Sequence, residues 1–245
     1  MLLAWGVFQP PWWNFDYAID PAFAGSSLEE AIFAWGKSQI MQYSKRTKEW
    51  FWGSIELFED APNQAQTIAQ LEALGFQPFE WTTMRFAIDL NQPLPQPQMP
   101  DGYVIRPIRA ASEAEAYVAL QRAAFNSEKM TTAWRMRSFE HPDYRPKLDL
   151  ILADANDTPI GFCVCWLKDG VGQIEPLGVH PDHQGKGLGR ALELAALQMM
   201  RAHGAHTALV DHVSLNDAAI ALSKQTGFRQ INNALRFYID TGDPN

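Results

Sequence analysis

Residues 179–198 read VHPDHQGKGLGRALELAALQ: a strand end, a turn holding Gly185, Gly187 and Gly189, and then a helix. Leu188, Leu192, Ala195 and Met199 share one stripe at helical spacing, so a helix is predicted over 187–203. Glycine at a helix start carries an entropic cost unless the backbone must approach something closely. The first amides of a helix have no partner within it, and the helix dipole adds partial positive charge there. A phosphate group answers both conditions. Two familiar phosphate loops are excluded by spacing. A Walker loop needs a glycine where this chain has His180 and a hydroxyl residue where it has Gly187. The dinucleotide fingerprint fits Gly185 and Gly187 and fails at Arg190.

Outward from this turn the second half of the chain is legible. YVIRPIR, LDLILAD, PIGFCVCWL, GQIEPLGV, TALVDH and ALRFYID have strand patterns, and ASEAEAYVALQRAAF, TTAWRMRSFEH and NDAAIALSKQT have helical ones. Ser112 is the expected N-cap of the first of these helices, and Gly227 ends the last. NQPLPQPQMPDG, residues 91–102, holds four prolines and reads as a linker. Strands alternating with helices describe an α/β domain.

The first half repeats the second. AIDPAFAGSSLEEAIFAWGKSQI (18–40) lies over GVHPDHQGKGLGRALELAALQMM (178–200) at a constant offset, with Gly25 on Gly185 and Leu28 on Leu188. LGFQPFEWTTMRFAID then echoes TGFRQINNALRFYID. The chain is therefore a tandem duplication with copies of unequal length. Only 17 residues precede Ala18, against 77 between Asp101 and Gly178, so the first copy is expected to lack two strands and two helices. Either the start is trimmed from a longer protein or the half-domain is completed by its neighbour or by a second subunit, as a homodimer. The expected boundaries are 1–90 for the incomplete copy, 91–101 for the linker and 102–245 for the intact copy.

Of 245 residues, 47% are hydrophobic and the formal net charge is -8, enough apolar matter for a core and no basic stripe for nucleic acid. Residues 1–100 carry 5 basic and 11 acidic side chains, whereas residues 101–245 carry 15 and 17, so the second half is better suited to an anion. Cys163 and Cys165 alternate onto one strand face as buried thiols. Free thiols without a signal peptide point to the cytoplasm, and the apolar opening MLLAWGVF is too short to span a bilayer. It reads as a buried strand. His180 and His183 flank the turn and are not read as metal ligands. Arg135, Arg137 and Arg145, beside Tyr144, are read by default as a solvated helix face, the alternative being that they steer an acidic acceptor.

The pattern Gln184-Gly185-Lys186-Gly187-Leu188-Gly189, after a strand ending Val-His-Pro, resembles the acetyl-CoA loop of the GNAT N-acetyltransferase superfamily. The order of elements over 102–240 is similar to that family's, and a degenerate copy before an intact one resembles tandem GNAT proteins. The resemblance implies a mixed, mostly antiparallel sheet flanked by helices, present as a pair with the first copy incomplete. It implies that the amides of 184–190 hold the coenzyme pyrophosphate, with Lys186 and Arg190 adding charge. It implies that Leu177 and Val179 pair with the pantetheine arm on a strand splayed from its neighbour, and that the Val179 amide serves the oxyanion. Asn216 matches a family asparagine that contacts the coenzyme, besides being an N-cap candidate for the last helix.

Acetyl transfer needs an unprotonated amine, a base and oxyanion stabilisation. Glu175 lies four residues before Val179, on the same strand face by alternation unless a bulge intervenes, and is the base candidate. Ser223 stands where the family often has a tyrosine that protonates the departing thiolate. In the first copy Glu29 brings a carboxylate where the pyrophosphate would sit, so that copy is not expected to bind acetyl-CoA. Two functions follow: an acetyl-CoA-dependent N-acetyltransferase acting on a small-molecule amine by direct attack, or a coenzyme-A-binding sensor or scaffold without turnover. The alternative is motivated by Ser223 and by the decayed first copy.

Overall fold

The computed structural model describes residues 2–242. In chain order the first elements are β1 (Ala4–Gln9), β2 (Asn14–Ile19), α1 (Ser27–Thr47), β3 (Trp52–Phe58), α2 (Gln64–Ala73), β4 (Gln77–Pro78) and β5 (Thr83–Asp89). They are followed by β6 (Val104–Pro107), α3 (Ala114–Phe125), α4 (Thr132–Phe139), β7 (Asp149–Ala153), β8 (Pro159–Lys168) and β9 (Val171–Val179). The last are α5 (Leu188–Ala202), β10 (Thr207–Val213), α6 (Asp217–Thr226) and β11 (Arg229–Asp240). No helix among the described residues is long and apolar enough to cross a membrane.

Two compact units interleave along this chain. The first comprises 1–85, 212–215 and 232–245; the second comprises 86–211 and 216–231. The copies seen in the sequence and the units therefore divide the chain differently. Strand β5, which closes the first copy, starts in the first unit and ends in the second, and β11 does the reverse.

In the first unit the strand order is β1-β2-β3-β11. Ala234 to Asp240 of β11 pair antiparallel with Phe58 to Trp52 of β3. Phe15, Phe33, Ile40, Phe51, Ile55, Leu71, Phe237 and Ile239 form its core. Helix α1 buries Glu29, Phe33, Gly36, Ile40 and Ser44, one residue per turn.

In the second unit the order is β10-β9-β8-β7-β6, antiparallel throughout except for the parallel pair β9–β10. This is the mixed, mostly antiparallel sheet expected. Ile108, Tyr117, Val118, Leu120, Ile151, Phe162 and Val164 make a core under α3, with Trp134 and Phe139 of α4 packed against it. Helix α5 buries Leu188, Ala191, Leu192, Leu194, Leu197 and Met200. Each fully buried leucine of this kind stabilises the fold by about 1.5–3 kcal/mol. Residues 91–101 form neither helix nor strand, yet Leu94 is buried and Gln198 and Arg201 of α5 donate to the carbonyls of Pro95 and Gln92. The linker is laid along α5.

Three local expectations change. Ser112 does not cap α3. It sits in a 3-10 turn and donates to the Arg109 carbonyl, while Glu113 takes the Arg109 amide at 2.7 Å and pairs with Arg106. Burial raises the Glu113 pKa, but Arg106 and that amide outweigh it and hold the carboxyl below its ordinary range. Arg135 is not solvated: it is buried, paired with buried Asp149, and its guanidinium lies 3.8 Å from the Tyr117 ring centre. Tyr144 donates to the same Asp149 at 2.9 Å. Finally, β9 carries a bulge, which decides where Glu175 points.

Candidate functional site

The pairing of β9 with β10 runs from Val171↔Thr207 to Gln173↔Leu209 and stops there among the described residues. Beyond it the two strands fork. On its other edge β9 stays paired with β8, Leu177 opposite Cys163 and Val179 opposite Gly161. The His180 amide donates to the Ile160 carbonyl at 2.8 Å, which makes 178 and 180 the residues whose main-chain groups face β8. By the alternation of an antiparallel ladder, the main-chain groups of Leu177 and Val179 face the fork. The fork thus presents main-chain donors and acceptors to an extended ligand.

At the mouth of the fork lies the glycine turn. Gly185 and Gly187 have φ of +74° and +75°, and an added Cβ at either would meet nothing within 4 Å. Backbone conformation, rather than crowding, demands glycine at both, and the space beside them is open. Gly189 has no such torsion and sits in the first turn of α5. Gly187 caps α5 without a side-chain hydrogen bond, and the first intrahelical bond reported for its carbonyl is from Ala191 at 3.1 Å. The amides of Leu188, Gly189 and Arg190 therefore point out of the helix end, the arrangement that suits an anion. The Leu188 side chain is buried, so this residue offers only its amide. Gln184 donates to the Val179 carbonyl at 3.0 Å and ties the turn to the strand. Lys186 is exposed with its Nζ 3.3 Å from the Asp182 carbonyl, and Arg190 reaches the Gln225 carbonyl at 3.4 Å. His180 accepts from the Asp182 amide through Nδ1, a capping role.

Glu175 falls at the bulge. Cys165 pairs with Ile174 and Cys163 with Leu177, so Glu175 and Pro176 together oppose Val164. The effect on side-chain direction is visible in two glycines of the same strand. Gly172 abuts Met200 of α5, whereas Gly178 abuts Phe162 and Ala124 of α3. Even-numbered residues have changed faces. The Val179 side chain lies toward Gly189 of α5, and exposed Glu175 lies on the α3–α4 face. The shared face expected from alternation is therefore corrected: the extra residue reverses it.

Ser223 is fully buried and donates to Glu193 of α5 at 3.0 Å; Thr226 donates to the other oxygen of that carboxylate at 2.5 Å. The serine hydroxyl donates between α5 and α6. Asn216 is the N-cap of α6, accepting from Ala219 at 3.1 Å. Cys163 and Cys165 are free, buried and 3.7 Å apart at sulfur. The sulfur contact and burial push the Cys163 thiol well above its ordinary pKa, so it stays protonated.

Residues 114–228, which contain the fork, the turn and the bulge, match the model described as Acetyltransferase (GNAT) family. The chain carries a GNAT acetyltransferase domain. The mycothiol acetyltransferase of Thermobispora bispora is 32% identical over 151 residues, covering 57% of this chain and 50% of that protein. The mycothiol acetyltransferase of Streptomyces coelicolor is 29% identical over 238 residues, covering 92% and 71%. The chain thus spans about half the length of some curated relatives and more of others. Among solved structures, a GCN5-related N-acetyltransferase from Sphaerobacter thermophilus shares the fold with a TM-score of 0.78 at 18% identity, covering 97% of this chain and 76% of its own. A tandem GNAT protein from the clavulanic acid biosynthesis pathway shares it at 0.67 and 16%, covering 94% and 75%.

In the first copy the equivalent turn is closed by a carboxylate of the chain itself. Its 3-10 turn Pro21–Phe23 is capped by Asp20 as Pro181–His183 is capped by His180, and Gly25 has φ +78°. There Glu29, buried, accepts from the Gly25 amide at 2.7 Å, from Thr67 at 2.8 Å and from Tyr17 at 3.2 Å. Asn63 and Gln70 of the α2 region donate to the carbonyls of Ala24, Gly25 and Ser26. A carboxylate of the chain itself fills the cradle. In the second unit, sequence reasoning missed Glu193, a lone acid in an apolar helix.

Proposed function

We propose that the chain is an acetyl-CoA-dependent N-acetyltransferase that acetylates a primary amine of a small molecule by direct attack in its second unit. The observation that carries this reading is the fork of β9 and β10 ending at an open helix start that has no side-chain cap. Acetyl-CoA supplies an activated thioester when bound. The amides from Gln184 to Arg190, with Lys186 and Arg190 nearby, suit its phosphates; the main-chain groups of Leu177 and Val179 suit its extended arm. Glu175 takes the proton of an amine arriving from the α3–α4 face. The Val179 amide donates to the oxygen that gains negative charge. Asn216 remains a candidate contact through the part of its side chain that does not cap α6. No side-chain acid is assigned to the leaving thiolate, whose ordinary pKa of about 8.5 lets it depart unaided, at a lower rate. Self-association through the first copy belongs to the same reading, with native mass as its test.

The burial of Ser223 favours a second reading, a coenzyme-A-binding protein without turnover. Thermal unfolding with and without acetyl-CoA, for the native chain and Gly187→Glu, tests what both readings share. Ligand at about a hundred times its Kd adds about 2.7 kcal/mol to the unit that binds it, a shift of several degrees. The shift is expected in the native chain and absent in the variant; no shift in either defeats both readings. Thiol release across a panel of small primary amines then separates them, with release expected for the enzyme and none for the sensor.

A further inference from the structure

We infer that the cleft between α1 and β1 in the first unit binds a small aromatic carboxylate, with its ring among Phe8, Trp35 and Tyr43 and its charge on Arg46. The inference is independent of the acetyltransferase reading, because every residue it uses lies in the first unit. Helix α1 buries one stripe in the core. A second stripe, Trp35, Gln39, Gln42, Tyr43 and Arg46, recurs at helical spacing and faces β1. With Phe8 and its neighbours on β1 it lines a cleft of about 390 Å³. Sites for small ligands span roughly 300–1,000 Å³ and combine apolar walls with a few polar groups.

The rings of the wall are set by the core behind them. Phe8 stacks on buried Phe51 with centroids 6.4 Å apart and meets Tyr43 edge-on at 5.8 Å. Trp35 leans on buried Phe15 at 5.9 Å. Trp35 nonetheless stays 45% exposed and Val7 43%, so the cleft holds apolar surface that the unit itself leaves in water. A flat apolar body covers it.

The charge of the ligand follows from Arg46. Its guanidinium lies over the Tyr43 ring, 5.4 Å from the centre, and among the described residues it meets no carboxylate. Stacking on an aromatic face uses none of the N–H donors of a guanidinium, which remain for a carboxylate held through two parallel bonds. Gln42 donates to Ser38 at 2.9 Å, while the Gln39 side chain has no partner among the described residues and brings a free donor and acceptor to the cleft. One cation among three rings selects a monoanion with a flat body.

The probe is 2-naphthoate, titrated into the full chain and followed by NMR through the Trp35 indole N–H resonance, which its loss in Trp35→Phe identifies. A saturable shift of that resonance is expected, with a Kd on the order of a millimolar or tighter. Arg46→Gln changes an exposed side chain and is expected to weaken 2-naphthoate about ten-fold or more, the scale of a charge-assisted hydrogen bond. The neutral isostere 2-naphthamide is expected to bind the native chain as weakly as 2-naphthoate binds the variant. A Trp35 resonance that does not move overturns the inference. So does binding that Arg46→Gln leaves unchanged, or equal affinity for acid and amide. Displacement of 2-naphthoate by acetyl-CoA also overturns it, since the acid would then occupy the coenzyme site. A chain that binds no acetyl-CoA defeats the acetyltransferase reading and leaves this test standing.

Discussion

Glu175 and Val179 are four residues apart on one strand, and their side chains lie on opposite faces because the bulge inserts one residue between them. That geometry separates two tasks. The Val179 amide faces the fork, the side the proposed reaction gives to the acyl donor; the Glu175 carboxylate faces α3 and α4, the side it gives to the acceptor. Glu175→Gln keeps size and hydrogen-bonding while removing the proposed base. It is expected to lower kcat on the order of a hundred-fold or more, the usual worth of a general base, with acetyl-CoA affinity unchanged. Steady-state kinetics with a separate binding titration checks this, and parallel loss of both removes Glu175 from the role. At the same scale the glycine turn was legible beforehand, because a positive φ is a local requirement that the residue type itself reports.

Helices α5 and α6 are joined by Glu193, buried and holding Ser223 and Thr226. Burial pushes its pKa above the ordinary 4.5, against the two hydroxyl donors and Arg190, which pull it down. The folded protein therefore holds this proton more tightly than the unfolded chain does. The stability linked to it is full below pH 4.5 and is lost as pH rises through the higher folded value. Glu193→Gln cannot ionise, so its melting temperature is expected to fall less than that of the native chain as pH rises from 4.5. Thermal unfolding of both proteins across that range checks the sign; parallel curves would show that folding leaves the Glu193 pKa unshifted. The helices themselves were readable from their apolar spacing. Their polar seam was not, since Ser223 meets a partner 30 residues away and nothing local announces the meeting.

On the scale of the whole molecule, two copies of one plan serve different ends. The second presents an open helix start; the first closes the equivalent turn with Glu29. The chain is accordingly expected to bind one acetyl-CoA, not two, and Gly187→Glu to abolish that binding altogether. Isothermal titration gives the number directly. A stoichiometry of two would mean that Glu29 and its partners yield to the ligand.

The sequence by itself determined the repeat, the α/β plan, the strand and helix order of the second half, and the turn that suits an anion. These depend on residue type and on periodicities of two and 3.6, which are local properties of a chain. Tertiary structure alone decided the rest. The face of Glu175 depends on a one-residue insertion in a register, which a period of two cannot reveal. Arg135 reads as a surface residue until Asp149 and the Tyr117 ring are brought to it. The interleaving of the two units by β5 and β11 is a choice of pairing partners between strands of similar pattern, and such a choice is made by packing across the fold, where no sequence neighbour records it.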